Sequence, residues 1–346
     1  MFQLSFRKWL IWMFLLATAL VFVGIVAVSL GAVSIPLSRT VSILLGLGGN
    51  LSPPIQASEA TILWDLRMPR VGAAMVVGAS LALAGSVLQA LLRNPLADPF
   101  VLGISSGGAL GAVLAILFGL GATLLGGYGV AAASFLGALL TLFLVYSIAR
   151  QEGRVPTATL LLAGVIFSSF FSAIIMFLIS ITSDERLFDV TFWLMGNVGN
   201  IQPRTVGVVF LYLLVGAGVL LGLAKDFNLL STGEETALAL GVEVERTKKI
   251  AFICASLITG AVVSVSGLIG FVGLVVPHWV RMIWGPDHRF LLPASAFLGA
   301  MLLVLADTVA RTIMAPLEIP VGVITAMVGA PFFIYLLRKK GHALYH

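Results

Sequence analysis

Residues that commonly do chemistry are sparse in this chain and poorly placed for it. The four histidines, His278, His288, His342 and His346, fall at none of the spacings that hold a metal, such as H-E-x-x-H. Cys254 is the only cysteine and lies in an apolar stretch, which leaves no disulfide framework and no thiolate metal site. No Gly-Lys dipeptide occurs, so there is no P-loop to cradle a nucleotide. Ser105-Ser106 sits among glycines without a His/Asp partner pattern and reads as helix packing, not a nucleophile. Asp307 is the nearest thing to an intramembrane carboxylate, and beside Arg311 it reads as half of a local ion pair. The chain is expected to be no enzyme and to carry no catalytic, cofactor or metal site.

What remains are groups suited to contact. Between Lys225 and Lys249, Ser231 or Thr232 is placed to cap a short helix with Glu234 or Glu235 in its first turn. Ala237, Leu238 and Leu240 then supply a small apolar face, and Gly241 ends the helix. Such a segment, about residues 229–245, reads as a docking element; a solvated connector is the plainer alternative. Arg67, Arg70 and Arg311 lie at the opposite ends of spans, where arginines also serve as interfacial anchors. Thr157, after Pro156, reads either as a helix cap or as a small polar group at a constriction.

The elements that must position these groups are membrane helices. Of 346 residues, 60% are hydrophobic and only 10% charged, with mean hydropathy +1.10; a soluble domain carries about 25% charged residues. The 37 glycines suit close helix packing in lipid. Uncharged stretches cover 9–38, 71–92, 99–149, 155–183, 205–224, 250–280, 290–306 and 319–337, against the roughly 20 apolar residues that a spanning helix needs. The first exceeds a signal-peptide core of about 7–15 residues, and reads as a span. Residues 99–149 hold two spans with a turn at Gly119–Gly129, and 250–280 two short ones broken near Gly267, reaching back to Arg246 and forward to Trp284. Five hairpins result. The chain is predicted to be an all-α integral membrane protein of ten transmembrane helices in a single domain over 1–346, with both termini cytoplasmic. Most of the 20 Lys and Arg residues, including Arg93, Arg150, Arg154, Lys225, Lys248, Lys249 and Arg281, then lie inside. A faint internal echo pairs Phe100–Ser105 with Phe290–Ser295.

Seven segments together resemble the binding-protein-dependent ABC importer permeases for iron–siderophores, haem and vitamin B12. They are Leu66-Arg-Met-Pro-Arg70, Gly85-Ser-Val-Leu-Gln89, Asn94-Pro-Leu-Ala-Asp-Pro99, Gly103-Ile-Ser-Ser-Gly-Gly108, Gly270-Phe-Val-Gly-Leu-Val-Val-Pro-His278, Asp287-His-Arg289 and Glu318-Ile-Pro-Val-Gly322. The resemblance runs over about residues 60–340. It implies a permease of the bacterial or archaeal cytoplasmic membrane that pairs with a second copy. Two cytosolic ATPase subunits would bind ATP and Mg, and an extracytoplasmic binding protein would deliver the cargo; no nucleic acid is involved. It further implies ATPase coupling through Glu234, Glu235, Ala237, Leu238 and Gly241, binding-protein docking at Arg67, Arg70 and Arg311, and a gate near Thr157 and Thr159. A secondary, ion-coupled transporter is the alternative, and would carry ionisable residues at mid-membrane.

Overall fold

The computed structural model describes residues 5–47, 57–120, 127–150, 155–182, 184–199 and 201–343, and among these every regular element is a helix. Two expectations, most of the Gly119–Gly129 turn and Arg154, fall outside the described residues. In hydrocarbon each backbone N–H and C=O must be paired within the protein, and a helix does this locally. The apolar stretches accordingly became α1 (Phe6–Ser29), α3 (Ala57–Leu91), α4 (Ile104–Leu117), α5 (Gly129–Ala149), α6 (Thr157–Ser180), α8 (Pro203–Gly222), α11 (Val244–Ser266), α12 (Val272–Trp284), α13 (His288–Thr312) and α14 (Val321–Ala343). Shorter helices join them: α2 (Leu37–Leu44), α7 (Asp184–Leu194), α9 (Ala224–Leu230) and α10 (Glu234–Ala239).

Seven helices, α1, α3, α5, α6, α8, α11 and α13, are long and apolar enough to cross a membrane, while α4 and residues 321–334 of α14 are shorter apolar helices. With 14 residues α4 reaches only about 21 Å. A 3₁₀ turn, Pro99–Leu102, precedes it, and Gly103 (φ +79°) changes the direction. That junction breaks the echo with Phe290–Ser295, which is continuous helix within α13.

The core is organised around α3. Of its most apolar window 83% is buried, against 22% for α1, α6 and α8, so α3 is the interior helix and the others keep outward faces. It packs against α13, α11, α12 and α8. Lipid tails are as apolar as leucine, so close van der Waals contact must hold such helices together. At Gly78 an added Cβ would lie 2.2 Å from the Gly299 carbonyl oxygen, and at Gly85 2.0 Å from that of Gly273. Backbone therefore touches backbone at two levels of α3. Near its start, α3 contains a π-helical turn over Ile62–Arg67. Pro69 lacks the N–H that a regular turn would require there, and the wider turn accommodates it.

The predicted break at Gly267 is present. Gly267 ends α11 at φ +67°, and the chain runs irregularly to Phe271 (φ +69°) before α12. Its backbone is tied to the segment after α7, which is tied in turn to the start of α14. Asn197 N–H donates to the Ser266 carbonyl at 2.8 Å, and Gly322 N–H to that of Gly196 at 3.3 Å. This pairing makes non-helical backbone tolerable inside the bundle.

Candidate functional site

At the end of the bundle rich in basic residues, an open cleft of about 960 Å³ collects three separate segments. They are Val155–Ala158 at the start of α6, Thr232–Thr236 with Leu238 around α10, and Glu245 with Lys248 on α11; Arg93 closes one side. Thr157 and the acidic start of α10 thus line the same cleft. Thr159 is half-buried and lies outside the cleft lining.

The local chemistry of α10 explains its brevity. Gly233 (φ +132°) precedes it and no side chain caps its first turn. Ser231 and Thr232, expected to cap it, instead donate back to the carbonyls of Phe227 (2.8 Å) and Leu229 (2.7 Å), closing α9. A hydroxyl is drawn to whichever orphan backbone group lies nearest, and here that is the C-terminus of the preceding helix. At the other end Gly241 (φ +86°) completes a Schellman turn. Val242 N–H donates to the Ala237 carbonyl and Gly241 N–H to that of Leu238, both at 3.0 Å. The expected single apolar face is divided: Ala237 is fully buried against the bundle, while Leu238 and Leu240 are 59% and 62% exposed. The two leucines, not Ala237, face away from the bundle.

Charges tie α10 to its surroundings. The Lys248 side chain is 7% exposed, and its ammonium lies 2.6 Å from Glu234 and 3.7 Å from Glu245. Arg93 also approaches Glu234, at 3.7 Å. The remaining oxygen of Glu245 accepts from the Val155 backbone N–H at 3.0 Å. Thr157 opens α6 behind Pro156 and does not act as its cap. Sequence reading missed Lys248 and Glu245 as site residues, having counted Lys248 only toward membrane orientation. Their i,i+3 spacing on one helix face was the available signal.

At the opposite end the three arginines carry intrachain partners. Arg67, buried, donates to the carbonyls of Val28 (2.9 Å), Ser29 (3.0 Å) and Val33. Arg311, also buried, donates to those of Leu30 (2.7 Å) and Ala27. Both therefore satisfy the orphan carbonyls that end α1. Arg70 holds Asp307 at 3.0 Å and Glu318 at 2.8 Å. Asp307 does pair with Arg311, at 3.5 Å, but its shorter contact is to Arg70 on the neighbouring α3.

Two pairs of these motifs meet, the first where Arg70 of Leu66–Arg70 holds Glu318 of Glu318–Gly322. Gln89 donates to the Gly273 carbonyl at 3.1 Å and accepts from Arg281, joining the Gly85–Gln89 segment to Gly270–His278. Asp287 caps α13 and accepts from Asn228 at 2.8 Å; the Arg289 guanidinium holds its carboxyl down at about 2. In Asn94–Pro99, Asn94 makes a turn through the Leu96 N–H (2.9 Å) and Asp98 accepts from Phe100 N–H (2.9 Å). Among the described residues no cluster of His, Cys, Asp and Glu is arranged to hold a metal, and His278 is buried within α12.

The profile of the FecCD transport family matches residues 19–339. The chain is 48% identical to the cobalamin import system permease protein BtuC of Halobacterium salinarum, over 83% of this chain and 76% of that one. It is 42% identical to the hemin transport system permease protein HmuU of Yersinia pestis, over 80% and 84%. It is also 34% identical to the molybdate import system permease protein MolB of Haemophilus influenzae, over 95% and 96%. Among solved structures, an inward-facing metal-chelate type ABC transporter superposes with TM-score 0.82 at 34% identity, covering 94% of this chain and 98% of that one.

Proposed function

Because the chain belongs to the FecCD transport family, we propose that it is the membrane-spanning permease subunit of an ATP-driven importer for an iron chelate, haem or cobalamin. The observation that carries this reading is the shared cleft, where the start of α6 and the acidic start of α10 face each other. A permease needs such a place: an ATPase pushes on one wall and a gate responds at the other.

Two cytosolic ATPase subunits bind ATP and Mg and receive Leu238 and Leu240, with Glu234, Glu235 and Gly241 beside them. Thr157 and Thr159 stand at the gate of a pathway formed with a second copy of the chain. The whole chain acts as one domain in the cytoplasmic membrane of a bacterium or archaeon. It crosses ten times with both termini inside, which the basic-residue bias supports. The short α4 and α12 complete their crossings with the 3₁₀ turn at Pro99–Leu102 and the irregular segment before Val272. An extracytoplasmic binding protein docks at the corner of Arg67, Arg70 and Arg311, where Arg67 and Arg311, buried on the α1 carbonyls, act only through the net positive charge that three guanidiniums leave over the carboxylates of Asp307 and Glu318. An ion-coupled carrier is less well supported, since the buried carboxylate of Asp307 is held between Arg70 and Arg311.

Reconstitution with the ATPase and binding protein, followed by uptake of a panel of siderophores, haem, cobalamin and molybdate, tests the reading. ATP-dependent uptake of a chelate is the expected result. Uptake driven by an ion gradient without the ATPase would overturn it.

A further inference from the structure

Lys248 is a buried cation with one partner on each side of a joint. An ammonium taken out of water is tolerated only where carboxylates compensate it. Here the compensation is divided. Glu234 is the first residue of α10, the element placed to meet the ATPase, and lies 2.6 Å away. Glu245 is one turn earlier on Lys248's own helix, 3.7 Å away. Glu245 in turn accepts from the Val155 N–H at 3.0 Å, two residues before α6 begins at Thr157. Arg93, at 3.7 Å from Glu234, is the second cation on that carboxylate. A continuous set of charged contacts thus runs from α10 through α11 to the backbone that starts α6.

We propose that Lys248 is the positioning residue through which displacement of α10 reaches the start of α6, by sharing one ammonium between Glu234 and Glu245. When α10 moves and Glu234 withdraws, Lys248 closes on Glu245. That carboxylate then binds Val155 N–H less well, and the start of α6 is released. Restoring the Glu234 contact returns Glu245 to Val155 and holds α6 in place. The inference rests on the permease reading and refines it by naming the link between the two walls of the cleft.

The experiment uses proteoliposomes containing the full chain, its ATPase and its binding protein, with uptake and ATP hydrolysis measured in the same vesicles. Wild type is measured first, and failure of wild type to transport any cargo would tell against the functional reading itself. In Lys248→Met, uptake per ATP hydrolysed should fall at least about fivefold, the lower end of typical coupling free energies, while hydrolysis continues. Lys248→Arg should restore most of the ratio. Glu245→Gln keeps an acceptor for Val155 but not the charge that attracts Lys248, and should lower the ratio in the same direction. It provides the decision where Lys248→Met does not assemble. An unchanged ratio of uptake to hydrolysis in Lys248→Met, or in Glu245→Gln, overturns the proposal.

Discussion

Arg67 and Arg311, on different helices, donate to carbonyls at the same helix end, Val28 and Ser29 for the first, Ala27 and Leu30 for the second. The last carbonyls of a helix have no partner within it and carry the negative end of its dipole. Two guanidiniums aimed there both satisfy and neutralise them, and so fasten α1 to α3 and α13.

Truncating either arginine should therefore destabilise the protein. Each loss leaves buried carbonyls unpaired, at about 1–3 kcal/mol per site. Thermal unfolding in detergent should show the loss for Arg67→Ala and Arg311→Ala, with protease sensitivity concentrated near residues 27–35. Unchanged melting in both variants would mean that water replaces the guanidiniums without penalty.

Arg70 differs, because its partners are carboxylates. Arg70→Ala leaves Asp307, 1% exposed, with only the longer contact to Arg311. Breaking a buried pair of this kind costs about 3–5 kcal/mol, and Asp307→Asn in the same chain should recover much of it. For docking, the cleaner probe is Glu318, which is exposed and competes for Arg70. Glu318→Gln should speed association with an acidic binding-protein surface at low salt and lose that advantage as salt rises. Association rates measured across ionic strength, with no difference at low salt, would tell against this corner as the docking site.

Gly241 separates fold from coupling. No heavy atom lies within 4 Å of an added Cβ, so the cost of Gly241→Ala is the strained backbone at φ +86°, about 1–2 kcal/mol. Gly241→Asn should cost less, since asparagine tolerates this conformation. Gly241→Trp adds bulk beside Leu238 and Leu240, and should abolish co-purification of the ATPase while membrane insertion persists. Retained ATPase binding by the tryptophan variant would remove α10 from the coupling surface.

Asp98 gives the stability a pH dependence. Burial in the loop before Pro99 raises its carboxyl from 3.8 to about 6, and the Phe100 N–H only partly offsets this. A group raised on folding contributes stability below its unfolded value, and that contribution disappears as pH rises through the folded one. Wild type should thus lose stability between about pH 4 and pH 7, by at most about 3 kcal/mol. Asp98→Asn keeps the oxygen that accepts from Phe100 without the charge. It should melt higher than wild type at pH 7.5 and equally at pH 4; a parallel pair of melting curves across that range would refute the assignment.

The places of the helices were legible in the residues alone. Uncharged runs, the glycine that breaks α11 at 267 and the glycine that closes α10 at 241 act through local hydropathy and backbone sterics, which neighbours along the chain determine. The caps of α10 were misread for a related reason: Ser231 and Thr232 had two helix ends within reach, and only the fold decides which end lies nearer.

Pairing of the charges was decided by tertiary structure. Arg70 meets Asp307 across 237 positions of sequence, and Lys248 meets Glu234 because α10 folds back on α11. Nothing in the spacing of these residues specifies such contacts. They depend on the depth at which helices cross, and that depth is set where Gly78 meets Gly299 and Gly85 meets Gly273, with no side chain between the backbones. Composition and periodicity determined that the chain would be a bundle of apolar helices with a basic end. Which buried cation answers which carboxylate, and hence which wall of the cleft is tied to which, was decided by those close crossings, because an ion pair forms only where packing brings its partners within reach away from water.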